Sequence, residues 1–182
     1  KMVDIYTETI KNTNSFHIKY IAKRVIEQKG ERVYTYTRDR IKWHKDQGHI
    51  VIAISGSPLE LVSEMSEKYG MDDFRGTIYK IGNNGIYNGE IIPMWDSDSK
   101  KKAVLEMAEK YNLDLSQSYA YGDTNGDFSM LNLVGYPFAV NPTRELLYKI
   151  HGDLKLREKV CVIVERKDVT YRLNVNILDI FK

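Results

Sequence analysis

Short apolar segments alternate with amphipathic ones through the middle of this 182-residue chain. The apolar segments favour buried strands, and the amphipathic ones favour helices that pack on them. Strands that alternate with helices predict an α/β fold with a parallel sheet, whose ligands bind beyond the carboxyl ends of the strands. The predicted order is strand Ile50 to Ile54, helix Leu59 to Tyr69, strand Gly76 to Ile81, a hairpin turn at Asn83 to Gly85, helix Ser99 to Asn112, strand Ser118 to Tyr121, helix Phe128 to Leu133, strand Tyr136 to Val140 and a short helix from Thr143.

Two aspartates follow the predicted strand Ser118 to Tyr121, in the segment Gly122-Asp123-Thr124-Asn125-Gly126-Asp127. Carboxylate oxygens suit Mg²⁺, which takes one or two protein carboxylates and completes its octahedron with water and substrate phosphate oxygens. One carboxylate can bind the metal while the other positions it. A solvated turn is the alternative, because Gly, Asn and Asp are also typical of turns.

A second polar segment, Ser55-Gly56-Ser57-Pro58, follows the predicted strand Ile50 to Ile54. Pro58 fits the first turn of the next helix, and Ser57 fits its N-cap. The Ser55 hydroxyl and nearby backbone N–H groups could hold an anion at this helix start. The alternative is a capped helix start without a ligand.

Three consecutive lysines, Lys100, Lys101 and Lys102, open the predicted helix Ser99 to Asn112. The helix dipole disfavours cations at the amino end of a helix. A phosphate ligand would explain their position, and a solvated basic turn is the alternative.

The segment from about Ile41 to Pro142 resembles the haloacid dehalogenase-like hydrolase superfamily, in its phosphoserine-phosphatase-like branch. The resemblance implies a three-layer Rossmann-like fold around a parallel sheet, with a partial helical cap. It also implies a magnesium-dependent phosphatase that acts on a small phosphorylated metabolite similar to phosphoserine. The motifs that carry it are Gly48-His49-Ile50-Val51 leading into Ser55-Gly56-Ser57-Pro58, then Gly76-Thr77 with Gly85 and Gly89, and Tyr121 to Asp127.

Roles for individual residues also follow from the resemblance. Ser55 would hydrogen-bond the phosphoryl group, and Gly56 would bind substrate beside it. Asp123 would bind Mg²⁺, and Asp127 would orient a catalytic lysine or a metal-bound water. An ungapped match of the helix to the family assigns Lys100 as that lysine.

The choice of lysine stays open at the level of sequence, because Lys101 and Lys102 adjoin Lys100. All three are candidates for the cation that contacts the phosphoryl group.

Family enzymes begin with a strand and Asp-x-Asp-x-Thr, whose first aspartate attacks phosphorus to form an aspartyl-phosphate. No such motif precedes Ser55 in the sequence. The only Asp-x-Asp, Asp96-Ser97-Asp98, follows Pro93, which argues against a central strand, and a helix N-cap at Asp98 or Ser99 is expected there. Two hypotheses remain: a longer protein whose N-terminal segment carries the motif, or a non-catalytic homologue that binds phosphate or metal.

Apolar residues at helical spacing precede the first predicted strand, and Ile10, Ile18, Ile21 and Val25 belong to this pattern. We interpret residues 1–32 as the remnant of a helical cap and residues 33–182 as the α/β core. A plain pair of packing helices is the alternative. A further helix is predicted from Arg32 to Gln47.

The C-terminal segment alternates apolar and polar residues from Lys159 to Glu165 and from Val169 to Val175. This alternation predicts a β-hairpin. The hairpin either completes the sheet or provides a contact for a homodimer.

Charge and composition exclude several classes of partner. The formal net charge is +2, and basic residues are dispersed apart from Lys100 to Lys102, so no nucleic-acid footprint is indicated. No apolar run reaches the roughly 18 residues of a membrane span, so no membrane partner is expected. The single cysteine, Cys161, excludes an internal disulfide and fits the cytoplasm. The expected partner is a small-molecule phosphate ester.

Overall fold

The computed structural model describes residues 2–177. They fall into two compact units. The first comprises Lys1–Val33 and Arg38–Trp95, and the second comprises Tyr34–Thr37 and Asp96–Lys182. The sequence-based boundary between a cap at residues 1–32 and a core at residues 33–182 stays a prediction.

The first unit combines helices with a small mixed sheet. Its elements are α1 (Met2–Ile10), α2 (Ser15–Lys29), α3 (Thr35–Asp46), β1 (Ile52–Pro58), α4 (Leu59–Tyr69), β2 (Asp73–Ile81) and β3 (Tyr87–Ile92). The strand order is β1-β2-β3, with β1 parallel to β2 and β3 antiparallel to β2. Helix α2 packs on α4, and α1 packs on β3. Helix α3 takes its first residues from the second unit.

A cluster of buried apolar side chains joins α1 to the hairpin of β2 and β3. Ile10, Tyr79 and Tyr87 are its buried members, and Tyr6 packs against them from the same helix as Ile10. The rings of Tyr6 and Tyr79 meet edge to face, with centroids 4.9 Å apart. The helical spacing predicted for the N-terminal segment therefore buries one face of α1 against this hairpin.

Strand β1 is longer than predicted, and the predicted Ser57 N-cap is wrong. The strand runs to Pro58, which pairs with Thr77 of β2 after a register irregularity that begins at Ile54. Pro58 itself occupies the N-cap position of α4 and makes no side-chain cap hydrogen bond. The backbone N–H of Ser57 instead donates to Ser55 Oγ over 3.2 Å. Continued pairing with β2 keeps Ser57 in the strand.

The second unit contains a four-stranded sheet with helices. Its elements are α5 (Ser97–Tyr111), β4 (Tyr119–Gly122), α6 (Phe128–Leu133), β5 (Tyr136–Val140), α7 (Arg144–Gly152), α8 (Leu154–Lys159), β6 (Cys161–Arg166) and β7 (Val169–Asn174), with 3₁₀ turns at Leu115–Gln117, Asn125–Asp127 and Val175–Ile177. The strand order is β4-β5-β6-β7. Strands β4, β5 and β6 are parallel, and β7 is antiparallel to β6. The α/β class with parallel strand pairs is confirmed.

The C-terminal hairpin is confirmed as β6 and β7, although its first strand starts later than predicted because α8 occupies Leu154–Lys159. Cys161 pairs with Asn174 and Arg166 pairs with Val169. Lys167 adopts φ 46° in the turn between the strands. The hairpin completes the sheet of the second unit, with β7 at its edge, and the homodimer contact stays a prediction.

Two carboxylates cap helices in ways that the sequence analysis did not assign. Asp96, rather than Asp98 or Ser99, is the N-cap of α5, since its side chain accepts from the N–H groups of both of those residues. The carboxylate of Glu165 in β6 accepts the backbone N–H groups of Thr35 and Tyr36 over 2.9 and 2.8 Å. The start of α3 is therefore anchored to β6. Among residues 2–177, no helix is both long and apolar enough to cross a membrane.

A buried histidine lies at the end of α3. His44 is 7% exposed, and its Nδ1 lies 2.9 Å from Nδ1 of His49. One nitrogen of such a pair must donate and the other accept, so the contact requires that at least one ring nitrogen lacks a proton. Burial lowers the pKa of His44 to about 4, with further contributions from the charges of Arg40 and His49.

We expect acid to destabilise the protein through His44. The free energy of unfolding that depends on neutral His44 is fully present above pH 6.5. It is lost as the pH falls from there towards about 4, because the unfolded chain binds the proton first. Urea unfolding midpoints measured across this range should therefore fall with pH, and should fall less in His44→Gln. An equal pH dependence in both proteins would contradict this assignment.

Candidate functional site

Asp127 is a buried carboxylate at the start of α6, only 3% exposed. Its Oδ2 accepts the backbone N–H groups of Asp123 and Thr124 over 3.0 and 2.9 Å, and the Thr124 hydroxyl over 3.1 Å. Thr124 and Asp127 together form a capping box around the 3₁₀ turn Asn125–Asp127. These donors fix the orientation of the Asp127 carboxylate.

The remaining oxygen of Asp127 holds a lysine. Lys100, in the first turn of α5, places Nζ 2.5 Å from Asp127 Oδ1, and both side chains are buried. Lys101 and Lys102, in contrast, are exposed. The structure therefore distinguishes Lys100 from the other two candidates. An ammonium group has three N–H donors, so Lys100 can contact a further anion beside Asp127.

Gly122, the last residue of β4, is packed directly against this carboxylate. A Cβ atom at residue 122 would lie 2.5 Å from Asp127 Cβ and 2.9 Å from Asp127 Cγ. Only glycine leaves the space that the Asp127 side chain fills. The sequence analysis assigned no function to Gly122 or Thr124, although Thr124-x-x-Asp127 has the spacing of a capping box.

Asp123 is the exposed carboxylate of the pair, directly after β4. Partial desolvation raises its pKa, as does the nearby charge of Asp127, while the Lys100 ammonium acts in the opposite direction. The carbonyl oxygen of Asp123 accepts the backbone N–H of Thr143 over 2.7 Å, which ties the end of β4 to the start of α7. Asp123 is thus held by its backbone, and the residue is exposed.

The oxygens around Asp123 fit a magnesium ion. A divalent cation would offset the repulsion between the carboxylates of Asp123 and Asp127. Asn125, two residues further on, has a buried Oδ1 without a hydrogen-bond partner, and an amide oxygen is of the kind that Mg²⁺ accepts as a ligand. Within residues 2–177 no group of three or more His, Cys, Asp or Glu side chains could hold a metal. Mg²⁺ does not need one, because it usually keeps several waters and binds one or two carboxylates.

Ser55 and Gly56 lie in the first unit, near the carboxyl end of β1. Ser55 Oγ accepts the Ser57 N–H and still has its own proton to donate. The Gly56 carbonyl accepts the hydroxyl of buried Thr77 over 2.8 Å, and a Cβ on Gly56 would lie 3.0 Å from Trp95 Cβ. The backbone of Gly56 therefore lies close to Trp95, and a side chain at residue 56 would crowd it. The sequence analysis assigned no role to Thr77.

The candidate residues therefore fall into two sets. Lys100, Asp123 and Asp127 come together in the second unit, and Ser55 and Gly56 belong to the first. Both sets lie at or after the carboxyl end of a parallel strand, where α/β folds bind ligands. The catalytic and binding roles of all five residues stay predictions.

Comparison with known proteins identifies the family. A model of the haloacid dehalogenase-like hydrolase family matches residues 3–132. The chain belongs to this family. The match includes both sets of candidate residues.

Two curated relatives illustrate the likeness. The chain is 35% identical over 138 residues to the inhibition of morphological differentiation protein of Streptomyces azureus, covering 70% of this chain and 50% of that protein. It is 30% identical over 117 residues to phosphoserine phosphatase SerB1 of Mycobacterium tuberculosis, covering 64% and 38% respectively. The chain thus spans half or less of the length of these two relatives.

Solved structures show the same fold. A protein with unknown function from Bordetella pertussis Tohama I superposes with a TM-score of 0.71 at 17% identity, over 82% of this chain and 69% of that one. A phospho-aspartyl intermediate analogue of phosphoserine phosphatase gives a TM-score of 0.61 at 20% identity, over 91% and 71%. At these identities the likeness concerns the fold.

Replacing Lys100 should destabilise the protein strongly. Lys100→Met leaves the buried Asp127 carboxylate without its counter-charge, which costs about 3–5 kcal/mol. Lys101→Met is the matched control, because the neighbouring lysine is exposed and should change stability by less than about 0.5 kcal/mol. Urea denaturation measures both, and equal losses would show that the ion pair does not stabilise the fold.

Gly122→Ala should also destabilise the protein, by about 1–3 kcal/mol, because its methyl group overlaps Asp127. Gly152→Ala is the control, since a Cβ there has no neighbour within 4 Å. Thermal unfolding of the two variants should differ clearly. A Gly122→Ala protein as stable as Gly152→Ala would refute the close contact.

Proposed function

We propose that the protein hydrolyses a small phosphomonoester, similar to phosphoserine, with Mg²⁺ as its cofactor. The observation that carries the proposal is the buried ion pair of Lys100 and Asp127 beside the exposed carboxylate of Asp123, at the end of β4. This arrangement puts a fixed cation next to a candidate magnesium ligand. Phosphoryl transfer requires both, because catalysis consists largely of positioning and charge stabilisation.

Lys100 acts in this proposal on the oxygens of the phosphoryl group. Asp127 holds its ammonium in place, so little reorganisation is needed when negative charge spreads over those oxygens in the transition state. Such preorganisation is worth more in a buried site than in water. Lys100 is 6% exposed, which satisfies this condition.

Asp123 would hold the magnesium ion, together with the amide oxygen of Asn125. When bound, the ion offsets the charge of the phosphate and polarises its oxygens. Asp127 keeps its role as the partner of Lys100, because its oxygens already accept hydrogen bonds from Lys100, Asp123 and Thr124.

Ser55 and Gly56, which belong to the first unit, would bind the phosphoryl group. Ser55 donates its O–H to a phosphate oxygen while its Oγ keeps the hydrogen bond from the Ser57 N–H. Backbone N–H groups near the start of α4 add further donors for an anion.

The relatives support the reaction class. SerB1 of Mycobacterium tuberculosis is named a phosphoserine phosphatase, and it matches this chain over 117 residues. Since the chain spans 38% of SerB1, activity and substrate of the whole protein are part of the proposal.

A non-catalytic homologue that binds phosphate or metal is the second candidate. Its basis is that the buried pair of Lys100 and Asp127, with the exposed Asp123 beside it, can bind ligands without the attacking aspartate of the family. Lys100, Ser55 and Asp123 could still bind phosphate and magnesium in such a protein.

Two further expectations belong to the proposal. The protein works in the cytoplasm, which is consistent with the free thiol of Cys161. It forms a homodimer through the hairpin of β6 and β7, because β7 lies at the edge of its sheet and can pair with a second strand. Sedimentation of the purified chain tests the dimer.

Asp123→Asn should abolish magnesium binding and lower any hydrolysis of p-nitrophenyl phosphate by about a hundredfold or more, since a charge essential to the transition state is lost. Calorimetric titration with MgCl₂ and release of p-nitrophenol measure the two effects. Asp168→Asn, in the exposed turn between β6 and β7, is the matched control and should change neither.

The outcomes separate the two candidate functions. Magnesium-dependent hydrolysis that is lost in Asp123→Asn supports the phosphatase. Binding of magnesium and inorganic phosphate without hydrolysis supports the non-catalytic homologue. Magnesium binding that survives Asp123→Asn contradicts the metal assignment in both.

A further inference from the structure

Helix α2 leaves a group of large apolar side chains in contact with solvent. Its exposed members are Phe16 at 78%, Tyr20 at 62%, Ile21 at 43% and Val25 at 40%. Each of the other helices among residues 2–177 exposes two large apolar side chains at most. Single exposed apolar residues are normal, whereas a group of them marks an interaction surface.

The fold does not use these side chains. Helix α2 packs on α4, and its residue Ala22 is only 4% exposed. Ile18 packs against the buried cluster that joins α1 to the hairpin of β2 and β3. One face of α2 is therefore held by the first unit, and the exposed apolar side chains lie outside that contact.

Lysines adjoin the two exposed aromatic residues. Phe16 and Tyr20 are four positions apart and share a face of the helix. Lys19 and Lys23, both exposed, each follow one of these aromatic residues by three positions and so lie beside it on the helix surface. We call Phe16, Lys19, Tyr20 and Lys23 the basic aromatic ridge.

The whole helix carries an excess of positive charge. Its four cations and one carboxylate, which give a formal charge of +3, are Lys19, Lys23, Arg24, Lys29 and Glu27. Glu27 pairs with Arg24 over 2.7 Å. The carboxylate thus offsets the arginine, and the charge of the lysines in the ridge is left to attract an anionic surface.

A surface of anionic lipids matches both properties of α2. Lysine stems lie along apolar surface while their ammonium groups reach charged headgroups, and exposed aromatic and aliphatic side chains enter the boundary between headgroups and acyl chains. We propose that α2 binds the surface of a membrane that contains anionic lipids, with the basic aromatic ridge in the headgroup layer. Ile21 and Val25 add apolar contact area in this arrangement.

Charge argues against a second copy of the chain on this surface. Two facing α2 helices would bring their lysines together, and like charges across an interface repel. A nucleic acid would attract the lysines and stack on the aromatic rings, but the aliphatic side chains of Ile21 and Val25 would add nothing to such binding. The lipid surface accounts for all of these residues.

Surface binding does not require a membrane span. A span needs a long apolar run, whereas a helix that lies on the surface needs only apolar side chains on one side and positive charge beside them. No membrane partner was expected from the sequence because no such run is present, and that reason does not apply to surface binding. The cytoplasmic leaflet of membranes is anionic, which agrees with the proposed location in the cytoplasm.

Flotation of the full chain with phospholipid vesicles tests the inference. Vesicles of mixed phosphatidylglycerol and phosphatidylcholine should bind the chain at least about tenfold more tightly than vesicles of phosphatidylcholine alone, because only the mixture attracts the lysines. Sodium chloride at about 1 M should weaken this binding, since the Debye length falls to about 3 Å.

Two pairs of variants separate the apolar and the electrostatic contributions. Phe16→Ser combined with Tyr20→Ser should weaken binding to the mixed vesicles at least about tenfold, because apolar contact area is lost. Leu105→Ser, which replaces an exposed apolar residue of α5, is the matched control and should leave binding unchanged.

Lys19→Glu combined with Lys23→Glu should also weaken binding at least about tenfold, because basic residues near an anionic surface contribute to affinity. Lys101→Glu combined with Lys102→Glu is the matched control, since it changes the net charge equally at exposed positions of α5, and it should weaken binding much less. All of the replaced side chains are exposed, so circular dichroism should show folded variants.

Several outcomes would overturn the inference. The wild-type chain would fail to float with the mixed vesicles, or would bind phosphatidylcholine alone equally well. The variant that lacks both aromatic rings would bind as tightly as Leu105→Ser, or the two charge variants would be weakened equally.

The other occupants of the surface would also be recognised. A wild-type dimer that becomes a monomer when Phe16 and Tyr20 are replaced would assign the surface to a second copy and overturn the inference. Binding of a single-stranded oligonucleotide without vesicle binding would assign it to nucleic acid and overturn the inference as well. None of these measurements depends on phosphate hydrolysis, so the proposed function stands or falls separately.

Discussion

The carboxylate of Asp127 is the group on which the geometry of the second unit depends. One of its oxygens accepts hydrogen bonds from Asp123 and Thr124, and the other holds Lys100. Its Cβ and Cγ occupy the space that a side chain on Gly122 would need. The end of β4, the first turn of α5 and the start of α6 thus meet at one buried charge. Such a charge is tolerated only because every contact around it is made.

This constraint ties stability to chemistry. A lysine kept in the interior costs desolvation energy that its ion pair only offsets, so a fold selected for stability alone would favour an apolar pair at these positions. The arrangement gains a cation that is already oriented before a ligand arrives. Asp123 is also placed at a cost, because partial burial raises its pKa and the charge of Asp127 raises it further. Functional sites often keep arrangements of this kind at the expense of stability.

Features that depend on neighbouring residues could be predicted from the sequence, and features that depend on distant ones could not. The alternation of strands and helices and the polar segment after β4 follow from patterns within a few positions. Which of three lysines faces Asp127 depends on the rotation of α5 relative to β4, and only the structure sets that rotation. The bond from Tyr87 to Glu60 joins two elements far apart in sequence. Ser57 was misjudged for the same reason, since pairing with β2 extends β1 to Pro58.

Helix α3 has an unusual position in this architecture, because its first turn belongs to one compact unit and the rest to the other. The Glu165 carboxylate covers the N–H groups of Thr35 and Tyr36, whereas His44 is buried near the opposite end. Amide protons exchange with solvent when their local structure opens, and compact units open with different free energies. Deuterium uptake along this single helix would therefore report two opening reactions, the first at its amino end and the second at its carboxyl end.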